Sequence, residues 1–191
     1  MALTDTDLIT KARQGDSSAF EELVFRYDKR VLSMALKYVQ NKDDAKDIYQ
    51  EVFIRVYKGL QNFQFRSEFS TWLFRITTNV CLTHSARGKK RINVPINDEY
   101  DEEEMNGGVV LESVSHQSSP EKYLSSSEIT EQVNRAVETL SPKQKMIFVM
   151  KHYEGYKLKE IAMMMDCQEG TVKKYLFEAN HKMRKLLKNI Y

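Results

Sequence analysis

An all-α fold is predicted for this chain: two small helical domains joined by a flexible acidic linker. Three observations predict it. Across residues 156–176, Leu158, Ile161, Ala162 and Met165 recur at helical spacing, Gly170 punctuates, and Val172, Leu176, Ala179, Met183 and Leu186 mark the inward stripe of a second helix. This is the spacing of a helix-turn-helix, which offers the start of its second helix to a DNA major groove. Apolar stripes of helical period also fill the N-terminal half, so no sheet is needed to bury them. Finally, charge is segregated: Lys and Arg number 16 against 11 Asp and Glu in residues 1–91, 1 against 8 in residues 92–127, and 12 against 8 in residues 128–191. Domains are accordingly expected at 1–91 and 128–191, with the acidic segment 92–127 as linker.

The elements follow in order. Thr4 with Asp7 reads as a capping box for a helix ending at Gly15, and Ser18 with Glu21 reads as a second. Phe20, Leu23, Val24, Tyr27, Val31, Met34, Ala35 and Tyr38 then lie on one apolar stripe. A third helix opens near residues 41–44 and carries Ala45, Ile48, Tyr49, Val52, Phe53, Val56, Tyr57 and Leu60. After a loop at residues 61–67, a fourth helix contains Trp72, Leu73, Ile76 and Val80. Pro95, Gly107, Gly108, Pro120 and a run of serines between Ser113 and Ser127 break helical periodicity in the linker. Beyond it, Ser141, Pro142 and Gln144 combine an N-cap, a first-turn proline and a capping-box partner.

Composition excludes several classes of function. With 41% hydrophobic and 29% charged residues the chain is globular, and no apolar run approaches the ~18 residues of a membrane span. Residues 1–7 lack the basic and apolar regions of a signal peptide, so a cytoplasmic protein without membrane insertion is expected. Cys81 and Cys167 stand apart with no CxxC grouping and read as small buried hydrophobes, not as a disulfide or zinc ligands. His84, His116, His152 and His181 fall in unrelated segments with no HExxH spacing. Neither metal, cofactor nor enzymatic centre is expected.

Residues 47–53 (DIYQEVF), then 69–79 (FSTWLFRITTN), then 170–173 (GTVK) together resemble the extracytoplasmic-function sigma factors of bacterial RNA polymerase. A lone helix-turn-helix is weakly specific; the ordered set of an acidic helix, an aromatic helix with a basic end, an acidic linker and a terminal helix-turn-helix is strong. The resemblance implies a region two-like domain that binds core RNA polymerase and recognises and melts the minus-10 element. It also implies a region four-like domain that reads the minus-35 element. Promoter DNA is then a partner twice, double-stranded upstream and single-stranded at minus-10, and an anti-sigma factor is a further expected partner. A free-standing helix-turn-helix regulator with an N-terminal sensing or dimerisation domain is the alternative from another class.

Within that frame, Asp47, Gln50, Glu51 and Ile54 are separated by three, four and seven residues and share one helix face, beside the stripe of Ile48 and Phe53. The resemblance makes these six the polymerase-docking set; on the residues alone, a solvated face stands as the alternative. Phe63, Gln64, Phe65, Arg66 and Ser67 mix aromatic and polar groups suited to holding an unstacked base. Arg75 and Asn79, four apart, continue a polar face toward Arg87, Lys89, Lys90 and Arg91, whose cations suit phosphates. Trp72 joins this minus-10 set, although core packing explains it equally well. For minus-35, Gln168, Glu169, Thr171, Lys173 and Lys174 are groove candidates, within a set that also takes in Lys157, Gly170, Val172 and Tyr175.

Three positions depart from the family pattern. Phe65 stands where a small residue is common, and Tyr175 and Asn180 where arginines are frequent, so some phosphate contacts are expected to be missing. Phe177 is expected outward without an evident role. The acidic run from Asp98 to Glu104 is expected to be solvated; the resemblance also implies, by position and charge, a segment that enters the polymerase's RNA path.

Overall fold

The structure, a computed structural model, describes residues 3–91 and 120–188, and for residues 88–91 and 120–127 the backbone alone. Eight α-helices and one π turn make up its regular structure, with no strand among the described residues. Helix α1 (Asp5–Arg13) opens on the expected capping box: Thr4 accepts from the Asp7 amide, and Asp7 accepts from the Thr4 amide at 2.9 Å. Helix α2 (Ser17–Val39) is capped two residues earlier than expected. Asp16, not Ser18, accepts from the Ala19 amide, and the Ser18 hydroxyl donates back to Asp16 at 2.6 Å. The carboxylate is the stronger acceptor for the helix's orphan amides. Asn41 caps helix α3 (Lys42–Leu60) through the amides of Asp43 and Asp44. Helix α4 (Phe69–Arg91) follows the loop at residues 61–68.

These four helices form the first domain. Leu8, Leu23, Val31, Met34, Ile48, Val52, Leu73 and Phe74 are among its almost fully buried side chains. At the far end of α3 the packing is close: a Cβ on Gly59 would stand 3.1 Å from the Trp72 ring, which would have to give by a few tenths of an ångström.

Helix α5 (Pro120–Glu138) takes in residues 120–127, which the sequence had assigned to the linker. Serines favour caps and turns locally, yet the stripe of Val133, Ala136, Val137 and Leu140 further along buries against a second small cluster and carries the helix with it. The remaining linker, including the run from Asp98 to Glu104, lies outside the described residues. Helix α6 (Pro142–Phe148) opens on the expected Ser141–Gln144 capping box and runs into a π turn at Val149–Tyr153. Helices α7 (Leu158–Met165) and α8 (Glu169–Leu187) form the helix-turn-helix.

Its turn differs from expectation. Asp166 takes the left-handed conformation, φ 53°, and caps α7, while Gly170 lies inside the first turn of α8. Asp tolerates that conformation because its short polar side chain relieves part of the cost. Leu186, expected on the inward stripe, is 47% exposed, and Leu187 packs in its place.

The two domains pack on one another. The Arg30 guanidinium lies over the rings of Phe74 (4.9 Å) and Tyr156 (5.4 Å) and donates to the Tyr156 hydroxyl at 2.6 Å. Burial pushes the Tyr156 phenol up to about 12, so it accepts that bond as a neutral hydroxyl. Lys37 pairs with Glu154 at 3.0 Å, and Arg75 pairs with Asp166 at 2.5 Å. One hydrophobic core cluster runs through both domains, from Leu8 to Val172.

Candidate nucleic-acid and polymerase interfaces

Three groups of side chains reach the surface in patterns that suit partners. On α3, Asp47, Gln50 and Ile54 are exposed and Glu51 is half-exposed, so the face legible in the sequence exists. Glu51 accepts from Arg55 one turn on at 2.7 Å. Ile48 does not belong to that face: at 1% exposure it is core, because its position in the stripe turns it toward α4 and α2. Phe53 is half-buried and meets the Tyr49 ring edge-on, 4.9 Å between centroids. Tyr57, 65% exposed, extends the surface beyond the expected residues; its place in the apolar stripe had hidden it. A cleft of about 230 Å³ separates Asp47, Glu51 and Arg55 from Thr83, His84 and Arg87 of α4.

The loop between α3 and α4 is built around aromatic rings. Phe63 is 6% exposed and stands 5.0 Å from both Trp72 and Phe65 and 6.0 Å from Phe69, centroid to centroid. Phe63 is therefore the loop's anchor, not a contact residue, and Trp72 is half-buried beside it. Gln64, Phe65, Arg66 and Ser67 are exposed. Phe65 sits at φ 54°, in the left-handed region where a side chain is strained. Sequence reasoning missed Arg13, which comes across from α1: its Nε donates to the Leu60 carbonyl at 2.8 Å, another guanidinium nitrogen donates to the Phe63 carbonyl, and its Cζ lies 4.9 Å over the Phe65 ring. No local spacing links residue 13 to residue 65, so only the fold brings them together.

Along α4, Arg75, Asn79 and Arg87 are exposed and Thr83 half-exposed, a polar stripe at four-residue intervals. The side chains of Lys89, Lys90 and Arg91 lie outside the described residues. Arg75 is engaged by Asp166 of the helix-turn-helix, so the stripe's first cation is neutralised here by the other domain.

At the start of α8, Gln168, Glu169, Gly170, Lys173 and Lys174 are exposed and Thr171 is half-exposed. A Cβ on Gly170 would meet nothing within 4 Å, so this first turn is open to an approaching backbone. Lys173 pairs with Glu169 at 3.0 Å. Val172 is fully buried and packs α8 into the core, so its side chain is not on the exposed face. Lys157 is exposed ahead of α7, and Tyr175 is half-buried against the core. Asn180 Oδ1 accepts from the His152 ring Nε2 at 3.0 Å, which spends it on the π turn. Phe177, expected outward, is half-buried and stacks on His181, centroids 6.4 Å apart. Among the described residues no helix is long and apolar enough to cross a membrane.

Known proteins are similar to this chain in sequence and in fold. The sequence pattern of Sigma-70 region 2 matches residues 11–91, and that of Sigma-70, region 4 matches residues 130–182. The ECF RNA polymerase sigma-E factor of Escherichia coli (strain K12) is 34% identical over 178 residues, 93% of this chain and 91% of that protein. The RNA polymerase sigma-H factor of Pseudomonas aeruginosa is 32% identical over 184 residues, 96% of this chain and 93% of that one. Two solved folds are similar. One is CnrH in complex with the cytosolic domain of CnrY, at TM-score 0.66 and 20% identity over 97% of each chain. The other is the sigma factor RpoE in complex with the anti-sigma factor NepR from Bartonella quintana, at TM-score 0.62 and 18% identity, covering 88% of this chain and 96% of that one. With both of its domains matched and full-length relatives above 30% identity, the chain belongs to the extracytoplasmic-function sigma factors.

Proposed function

We propose that this chain binds core RNA polymerase, directs it to specific promoters and promotes DNA melting for transcription initiation. One observation carries the reading to particular residues: a chain of this family has an open, exposed first turn of α8 on one domain and an exposed aromatic and polar loop on the other. A helix start lined by Gln168, Glu169, Lys173 and Lys174 suits duplex base edges and phosphates. A loop of Gln64, Phe65, Arg66 and Ser67 above buried Phe63 suits an unpaired base, and the stripe of Arg75, Asn79 and Arg87 suits the strand that carries it. The acidic face of Asp47, Gln50 and Glu51, with Ile54 at its centre, suits a basic or polar helical surface on polymerase.

An anti-sigma factor is bound in one of the two similar solved complexes, and an inhibitor that binds this chain is expected to compete with core polymerase for it. Its work is cytoplasmic, where polymerase is. Run-off transcription with purified core polymerase on genomic promoter fragments tests the function. The chain should convert core into a promoter-specific enzyme, whereas a free-standing repressor or activator leaves core without initiation.

A further inference from the structure

A cation in the last turn of a helix ordinarily caps that helix's own carbonyls. Arg13, at the end of α1, does something else: it leaves its helix and closes the α3–α4 loop. Its Nε donates to the Leu60 carbonyl at 2.8 Å, a second nitrogen donates to the Phe63 carbonyl, and its Cζ lies over the Phe65 ring, 4.9 Å from the centroid. The Gln61 side-chain amide donates back to the Arg13 carbonyl at 3.2 Å. The loop is thus tied to α1 in both directions.

Phe65 is poorly explained by stability alone. Its φ of 54° favours glycine, and the residue is 43% exposed, so it contributes strain and an open apolar surface where glycine would avoid both. What the arrangement does supply is a flat ring held in one orientation, backed by a planar cation. We propose that Arg13 is the positioning residue of the base-capture loop: it holds Phe65 as a fixed stacking platform for one unpaired nucleobase, giving a guanidinium–phenyl–base sandwich that selects at a single position of the melted strand. This rests on residues 61–67 holding single-stranded DNA, as proposed above. Arg is needed because its fork donates to two carbonyls while its charge lies over the ring, which an ammonium cannot reproduce.

The experiment uses holoenzyme reconstituted from core polymerase and the full chain. Its probe is a labelled single-stranded oligonucleotide carrying the non-template minus-10 strand of a promoter found by run-off transcription, with an abasic site placed at each position in turn. In the wild type, one abasic position should weaken binding about tenfold more than its neighbours, in line with one lost base–aromatic stack. Phe65→Ala and Arg13→Gln should each erase that excess, the double variant should lose nothing further, and Arg13→Lys should fail to restore it. Duplex minus-35 binding should be unchanged throughout. Phe65→Gly guards against a trivial folding defect: it relieves the left-handed strain, so it should unfold no earlier than wild type and still lack the single-position excess. If Arg13→Gln keeps the excess, or weakens every position equally, Arg13 is a structural tie and the inference is overturned. A wild type that shows no single-position excess while still preferring minus-10 single strand overturns the sandwich alone. If it shows no such preference at all, the base-holding reading of the loop fails with it.

Discussion

Ile48 and Asp47 are neighbours in sequence with opposite duties. Ile48 is buried at 1% exposure, so Ile48→Ala should cost about 2 to 5 kcal/mol by leaving a cavity between the helices. Chemical denaturation would measure that loss. Asp47→Lys with Glu51→Lys alters only the surface. The Glu51–Arg55 pair is about 40% exposed on each side and contributes no more than about 1 kcal/mol, so the double variant should stay folded within that margin. It should nevertheless abolish core polymerase binding in a pull-down or fluorescence titration, because two attractive charges become repulsive. Retained holoenzyme assembly at unchanged affinity would move the docking face elsewhere. Cys81 separates folding from function in another way. Burial pushes its thiol up to about 12, so it should resist alkylation in the native protein and react only on unfolding. The half-exposed Cys167 should modify first.

Helices that carry a cap and a stripe on their own sequence were legible before the fold was known. Thr4, Asn41 and Ser141 open α1, α3 and α6 as their side chains predict, and the paired helices of the DNA-reading motif lie where Leu158, Ile161, Val172 and Ala179 put them. What the sequence hid was set by contacts from elsewhere in the chain. Helix α5 begins in a serine-rich segment because its later turns find a partner, and the motif's turn falls on Asp166, a residue no turn rule favours over glycine. The same limit applies to the sites: exposed faces at Asp47 and Lys174 follow from helical period, whereas Arg13 and Phe65 meet only in three dimensions. The two readers should therefore fail differently when altered. Lys174→Ala in α8 should weaken upstream duplex binding, by about 1 to 3 kcal/mol if a bidentate base contact is lost. Asn79→Ala in α4 should leave the closed complex intact and reduce permanganate reactivity at minus-10. A pre-melted template should rescue the Asn79 variant; equal defects on duplex and bubble would assign it to docking or folding instead.

Arg75 and Asp166 touch at 2.5 Å, so the polar stripe of α4 and the turn of the helix-turn-helix adjoin in this arrangement. Promoter elements centred near minus-10 and minus-35 lie about 85 Å apart along a duplex at ~3.4 Å per base pair. A body of this size has a radius of gyration of only about 15 Å, and it cannot read both at once while closed. Residues 92–119 can span at most about 95 Å when fully drawn out, enough to let the domains separate. Energy transfer between dyes on the two domains should fall sharply when core polymerase and promoter bind; unchanged transfer in an active complex would mean that one element is not read. The interface holds apolar rings as well as ion pairs, so Arg75→Ala alone should shift global stability by less than about 1 kcal/mol. The aromatic cluster under the loop offers a direct view of the other end of the process. Trp72 is the chain's single tryptophan, packed 5.0 Å from Phe63 and against Gly59, within one ring of Phe65. Excited where tyrosine does not absorb, this molecule glows from that one place, and a base arriving on Phe65 should dim or shift the emission without any dye attached.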